Sequence, residues 1–237
     1  AQALNLLTRG ADALLLCGIG QRASLLARLR ARAVPVVHVM SWPPPPANPK
    51  MACIGFDNAR AMTQVVRYLL DLGHHRIAML AGVTHDNDRA TARLAGVRDA
   101  LAAAGLKLPP AYVAERRYGL AAAREGLQHL MRAPTPPTAV ICGNDVLAFG
   151  ALLEAQRLGI EVPRALSIVG FDDLELASHL QPALTTVHVP AETMWRTAAE
   201  QVLAMLRGGE APPDVEVEVS LVVRGSTAPP ASLRGRR

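Results

Sequence analysis

Two adjacent carboxylates, Asp172 and Asp173, close the stretch SIVGFDD at 167–173, after a short apolar run, a glycine and an aromatic residue. Four chemistries suit such a pair: general acid/base work, metal ligation, helix capping, or acceptance of hydrogen bonds from the hydroxyls of a bound molecule. Neighbours at a strand end point to opposite sides, so the two aspartates are not expected to face one substrate together. Related groups recur upstream. The apolar run 76–81 is followed by Gly82, Thr84, His85, Asp86, Asn87 and Asp88, and the run 139–142 by Gly143, Asn144 and Asp145. Three runs that each end in glycine plus a short acid or amide predict a polar rim around a cleft. One residue of Asn144/Asp145 and one of Asp172/Asp173 is expected to cap a helix.

Signatures of covalent or cofactor chemistry are missing. The sequence holds no G-x-S-x-G, no Walker A loop and no G-x-G-x-x-G; Gly18-Ile19-Gly20 is only G-x-G. His74-His75 lies between a helix end and an apolar run with no third ligand near it in sequence, which argues against a metal site. No cofactor is expected, and the chain does not read as an enzyme.

The elements that must position the rim are short apolar runs at 13–17, 35–39, 52–56, 76–81, 139–142, 166–169 and 185–189, separated by helix-period segments. Continuous apolar runs suit strands covered on both faces. Helices are expected after Asp57-Asn58 (Met62, Val65, Val66, Leu69, Leu70, stopped by Gly73), at Leu120–Leu130, from Asn144 to Leu158, and around Trp195–Leu206. Strand–helix–strand repetition predicts an α/β fold with parallel sheets and right-handed crossovers. The proline run in SWPPPPANPK (41–50) reads as a stiff loop joining two strands, with a ligand for aromatic grooves as the other reading. The segment 3–9 resembles the end of a helix, so the sheet reads as though its first unit is missing.

Half of the 237 residues are apolar and 3% are aromatic, so the core is expected to be Ala, Leu and Val. The net charge is +5, yet Arg234, Arg236 and Arg237 sit in the tail; without them 22 basic residues face 20 acidic ones. The body carries no basic stripe of the kind nucleic acid needs, and the tail is expected to be mobile. Cys17, Cys53 and Cys142 are far apart and odd in number, and read as buried thiols in a reducing compartment. Neither a signal peptide nor a membrane-spanning run is legible.

Five segments in order, LLDLGHHRIAMLAG (69–82), RLAGVRDAL (93–101), AVICGNDVLAFGAL (139–152), LSIVGFDDLELASHLQPALTTV (166–187) and LVVRGST (221–227), resemble the effector-binding and dimerisation domain of the LacI/GalR family of bacterial transcription regulators. The resemblance spans roughly residues 3–228. It implies a fold like that of periplasmic binding proteins: two similar α/β subdomains joined by crossing strands, with the effector between them. It assigns 1–72 and 189–207 to an N-terminal subdomain, 73–188 and 208–228 to a C-terminal one, and leaves 229–237 as the tail. By the same resemblance Arg93, Asn144 and Asp172 contact the effector. Their donors and acceptors suit a sugar, a sugar acid or a similar polar molecule. Thr84, Asp86, Phe171, His188 and Trp42 are secondary candidates, with Phe171 and Trp42 as apolar platforms or as plain packing. Arg93 as a solvated helix arginine and Asp172 as a cap are the competing readings.

Three departures from the family pattern stand out. Val189 occupies a position where many members carry glutamine, with His188 beside it as a substitute contact. Trp195 replaces a usual glycine and is expected to pack. The family's N-terminal helix-turn-helix, hinge helix and first strand–helix–strand are not in the sequence, so these residues alone are not expected to bind operator DNA specifically. The expectation is a cytoplasmic homodimer that senses a small-molecule effector for a transcriptional regulator, usually a repressor. The alternative is a solute-binding protein of the same fold serving transport or chemotaxis.

Overall fold

The computed structural model describes residues 2–43 and 50–231. Most of the proline run and the arginines of the tail lie outside the described residues. Along the chain run α1 (Gln2–Thr8), β1 (Leu14–Cys17), α2 (Ala23–Ala31), β2 (Val36–Val39), β3 (Met51–Gly55), α3 (Asn58–Asp71), β4 (Ile77–Gly82) and α4 (Asp88–Ala103). After a 3-10 turn at Pro110–Tyr112 come β5 (Val113–Arg116), α5 (Leu120–Met131), β6 (Ala139–Cys142), α6 (Asp145–Arg157) and β7 (Ser167–Val169). The chain ends with α7 (Leu176–His179), β8 (Thr186–His188), α8 (Ala191–Leu206), β9 (Val215–Glu216) and β10 (Ser220–Val222).

These elements form two compact units. The first holds Ala1–Asn58, Asp86–Arg89 and Pro190–Glu218; the second holds Ala59–His85, Ala90–Val189 and Val219–Arg237. The first break falls at Asn58/Ala59, where the sequence reading set one at 72, and 208–218 go with the first unit. The body of α3 therefore belongs to the second unit, where its stripe Met62, Val65, Val66 and Leu69 is wholly buried.

In the first unit a parallel sheet runs β1-β2-β3-β9. Interior strands β2 and β3 are buried at every residue, as their unbroken apolar runs predict. Helix α8 packs on β1, β2 and β3 through Met194, Ala198, Gln201 and Met205, spaced one or two turns apart on a single face. Trp195, beside that face, is half-buried. Strand β1 corrects two expectations. It is an edge strand whose residues alternate buried and exposed, so it is not covered on both faces, and its Cys17 is exposed, whereas Cys53 and Cys142 are buried.

In the second unit a parallel sheet runs β5-β4-β6-β7, and an antiparallel pair joins β8 to β10. All six residues of β4 are buried. Ala78 and Leu80 enter a core with Leu127 and Leu130 of α5 and Leu147 and Ala151 of α6. Strand β5 was not expected: its sequence VAER is half polar, and it lies at the sheet edge, where one buried residue, Ala114, suffices. The stretch after α8, assigned whole to the C-terminal subdomain by the resemblance, holds two strands. β9 extends the first unit's sheet and β10 pairs with β8 in the second unit.

Candidate functional site

The three strand ends expected to carry polar groups are brought together in the second unit, because β4, β6 and β7 are neighbours in one parallel sheet, but Asp86, Asn87 and Asp88 fall in the first unit. Around Arg93 the geometry is tight. Its side chain rises from α4, is 5% exposed, and lays its guanidinium over the ring of Phe171 at 3.7 Å. Nη1 donates to the carbonyl of Gly143 at 2.6 Å and Nη2 lies 3.8 Å from Asp172 Oδ1. A desolvated cation over an aromatic face is stabilised by about 2 kcal/mol. The reading of Arg93 as a solvated helix arginine is thus overturned. So is Phe171 as a platform for the ligand: its ring is wholly buried and serves as the seat of Arg93.

Asp172 and Asp173 both have positive φ, 112° and 56°, which turns them away from each other. Asp172 is anchored through its backbone N–H to the carbonyl of Val187 and keeps its side chain 26% exposed beside Arg93. Asp173 faces the other way and accepts from Arg224 Nη2 at 2.7 Å, with His188 Nδ1 at 3.0 Å from its second oxygen. His188 is half-exposed, and Val189 next to it is buried, so the position where glutamine was expected packs into the core.

Of the pair Asn144/Asp145, Asn144 is the cap. Its Oδ1 accepts from Leu147 N at 3.0 Å at the start of α6. Asp145 has a role that spacing did not disclose. Fully buried, it accepts from the Thr186 hydroxyl at 2.6 Å and from Leu174 N at 2.7 Å. Burial is the largest influence on its pKa and, with Asp172 nearby, raises it to about 6 against the lowering effect of those hydrogen bonds. Gly170 is required for this arrangement, since a Cβ there would stand 2.1 Å from Asp145 Oδ1. Gly82 similarly makes room for the hydroxyl end of Tyr118, a half-exposed aromatic at the rim. Thr84 is turned toward the sheet edge. Its hydroxyl and N–H both donate to Glu115 of β5, at 2.8 and 3.0 Å.

A second polar cluster lies in the first unit. Asp88, at the start of α4, accepts from Ile19 N at 2.9 Å and from the Ser41 hydroxyl at 2.7 Å, with Arg89 at 3.9 Å. Burial pushes its pKa up, but the Ile19 N–H, the Ser41 hydroxyl and Arg89 outweigh that and hold it below the usual carboxylate value. His38 is buried beside it and donates Nδ1–H to the Gly18 carbonyl at 3.0 Å. Burial lowers its pKa. Asp86 pairs with Arg22 at 3.5 Å, both well exposed, and Trp42 is half-buried next to Ser41. Among the described residues no group of three or more His, Cys, Asp or Glu could hold a metal ion. Nor is any described helix long and apolar enough to cross a membrane.

The comparisons with known proteins agree with this architecture. Residues 66–227 match the family model of the periplasmic binding protein-like domain. The HTH-type transcriptional repressor CytR of Escherichia coli (strain K12) is 35% identical over 179 residues, 75% of this chain and 52% of that protein. The chain thus spans about half the length of that relative. Among solved structures, the transcription regulator GntR from Chromobacterium violaceum superposes with a TM-score of 0.84 at 31% identity, covering 95% of this chain and 82% of that one. A transcriptional regulator CelR–cellobiose complex gives 0.80 at 29% identity, covering 95% and 68%. With two thirds of its length inside the family model and regulators of this type as its relatives, the chain belongs to the periplasmic binding protein-like domain family, as a LacI/GalR-type effector-binding domain.

Proposed function

We propose that this chain is the sensing part of a transcriptional repressor, in which a small hydroxylated molecule bound at the rim of the second unit alters the affinity of an attached DNA-binding domain for its operator. The observation that carries the reading is the Arg93 seat. A guanidinium fixed by Phe171 and the Gly143 carbonyl stands 3.8 Å from the part-exposed carboxylate of Asp172 and orients it. A carboxylate accepting from two neighbouring hydroxyls is a common way to hold a sugar-like ligand. Arg93 is assigned to orienting Asp172 and to contacting the ligand, Asn144 to a contact secondary to its cap, and His188, Thr84 and Asp86 to the periphery. The cellobiose named in the CelR complex supports a ligand of this class. The two compact units take the parts of the two subdomains. Binding, not turnover, is the assigned activity, and a cytoplasmic setting goes with it.

The partner is a second copy of the chain. An apolar groove of about 560 Å³ opens on the second unit between α6 and α7 with the residues that follow α7, lined by Phe149, Leu152, Leu153, Leu176 and Leu180 among others. Leu120, Leu153 and Leu176 are each about half exposed, a concentration of apolar surface unusual for a face left in water. Homodimers are the rule among regulators of this type, and a self-complementary apolar face is what such a dimer needs. Two measurements test the proposal. Calorimetric titration with neutral sugars and nucleosides should give binding that Asp172→Ala abolishes; binding unaffected by that change refutes the site. Sedimentation should show a dimer that Leu153→Glu dissociates; a dimer indifferent to it refutes the face.

A further inference from the structure

The cations of this chain are unevenly placed. Residues 1–56 hold six, Arg9, Arg22, Arg28, Arg30, Arg32 and Lys50, against one acid, Asp12, so of the 25 cations and 20 acids in the whole chain the remaining residues hold 19 each. Read along the chain, these arginines are spread among apolar residues and form no stripe. Folding gathers them. Helix α2 buries Leu29 and packs Leu25 and Leu26 into a core shared with Leu7 of α1 and Leu14 and Leu16 of β1. Its opposite face is a ridge of short side chains, Ala23, Ala27 and Ala31, four residues apart and all exposed. At about 100° per residue, Arg28 stands on one flank of that ridge and Arg30 on the other. Both are exposed, as is Arg32 at the C-cap. Among the described residues no carboxylate ion-pairs with these three, and Arg22, just before the first turn, meets the exposed Asp86 at 3.5 Å. The helix macrodipole favours a cation in the last turn and accounts for one or two of the arginines there. It does not account for Arg22 at the opposite end, where a cation is unfavourable, nor for a first turn without an acid.

We propose that α2 makes a sequence-independent contact with duplex DNA, separate from that of the attached DNA-binding domain, by laying its alanine ridge against the sugar–phosphate backbone with arginines on either side. The choice of a duplex over an acidic protein rests on the reading of this chain as the sensing part of a repressor, which keeps it beside DNA. The ten residues from Arg22 to Arg32 span about 15 Å, along which a duplex presents roughly nine phosphates. Short side chains on the ridge let the helix approach closely, and each flanking guanidinium donates charge-assisted hydrogen bonds to phosphate oxygens. Four such contacts correspond to a loss of roughly a hundredfold in affinity between about 50 and about 200 mM salt.

The experiment is fluorescence anisotropy of a labelled duplex of about 24 base pairs and arbitrary sequence, titrated with the 237-residue chain without effector from about 30 to about 200 mM salt. The expected result is binding whose log affinity falls against log salt with a slope of about −3 to −4. Arg28→Gln/Arg30→Gln/Arg32→Gln should bring the slope to about −1 and weaken binding at the lowest salt by at least roughly tenfold, with circular dichroism verifying the fold. If that variant is not folded, Arg28→Gln and Arg30→Gln taken singly decide, each lowering the slope by about 1. The tail arginines are a competing source of affinity, so Arg234→Ser/Arg236→Ser/Arg237→Ser is titrated alongside; binding abolished in that variant, with α2 intact, overturns the proposal. An unchanged slope in the α2 variants overturns it, as does no binding at the lowest salt. Poly-glutamate that displaces the duplex at equal charge concentration overturns the choice of DNA and assigns the face to an acidic protein. Effector binding is read separately by calorimetry, so failure of the DNA contact leaves the ligand-site reading standing, and the reverse holds.

Discussion

Replacing Asp145 by asparagine isolates the cost of burying a carboxylate whose side-chain donors are the Thr186 hydroxyl and the Leu174 N–H. Its pKa stands at about 6, raised by burial from 3.8. The sign follows from proton binding: between those values the folded state holds more protons than the unfolded one, so stability falls as pH rises. A shift of that size corresponds to about 3 kcal/mol, present below pH 4 and lost once pH has passed 6. Asparagine keeps the shape and cannot ionise. Its Oδ1 can accept from Leu174 N while its amide donates to Thr186, so the structural loss is one charge-assisted hydrogen bond, about 1.5–3 kcal/mol, and does not vary with pH. The assay is urea unfolding of wild type and variant from pH 4.5 to 8, taken as a difference at each pH so that every other titrating group cancels. Asp145→Asn should be the less stable protein at pH 4.5 and gain on wild type by about 2–3 kcal/mol by pH 7.5, ending near parity. A difference that is flat across the range refutes the raised pKa. A variant that loses further ground as pH rises shows instead that Thr186 and Leu174 hold the ionised form more tightly than burial penalises it.

Two other substitutions read different parts of the same unit. His74 is buried with Nε2 donating to the Ala228 carbonyl at 2.9 Å and Nδ1 against the Thr138 hydroxyl at 2.9 Å, and burial lowers its pKa. The unfolded chain then takes up a proton first, so its stabilisation is complete above the ordinary histidine value near 6.5 and is lost as pH falls below it. His74→Asn should cost about 2 kcal/mol at pH 7.5 and less at pH 5.5 in chemical unfolding, and a cost that grows with acid contradicts the assignment. Phe171→Leu removes the seat of Arg93 without touching a ligand, so it should weaken ligand binding by roughly tenfold in titration, in excess of any change explained by melting temperature. An unchanged dissociation constant would mean that Gly143 and Asp172 hold the guanidinium unaided.

The strands were legible where burial is complete on both faces: β2, β3, β4 and β6 are unbroken apolar runs and lie where the runs lie. Edge positions hid themselves. β5 needs one buried residue, so VAER carries no strand signal, and β1 needs one covered face, so an apolar run misled about Cys17. At the rim, residue types were readable and partners were not. Asn144 and Asp145 look interchangeable in sequence, yet Asp145 is held by donors 29 and 41 residues away and Asn144 by one three residues away. Only the second spacing is a local rule. Likewise the opposite orientation of Asp172 and Asp173 goes with positive φ at both, beyond the end of β7, and not with the strand alternation expected from sequence, while the identity of Arg224 as the partner of Asp173 depended on β10 returning beside β8.

That return explains how Asp173 is held. β10 enters antiparallel to β8 with Ser220 opposite His188, which carries Arg224 past the end of the pair and onto Asp173. Arg224 is further committed through Nη1 to the Leu184 carbonyl and through its N–H to the Thr185 hydroxyl, so it cannot follow a ligand out toward solvent. Asp173 is thereby spent on joining 171–173 to the last strand. Asp172 meets a cation that is itself fixed at 3.8 Å, longer than a hydrogen bond, by the Gly143 carbonyl and the Phe171 ring. The difference between 2.7 and 3.8 Å across two adjacent aspartates therefore separates a hydrogen-bonded tie to Arg224 from a longer ion pair with Arg93.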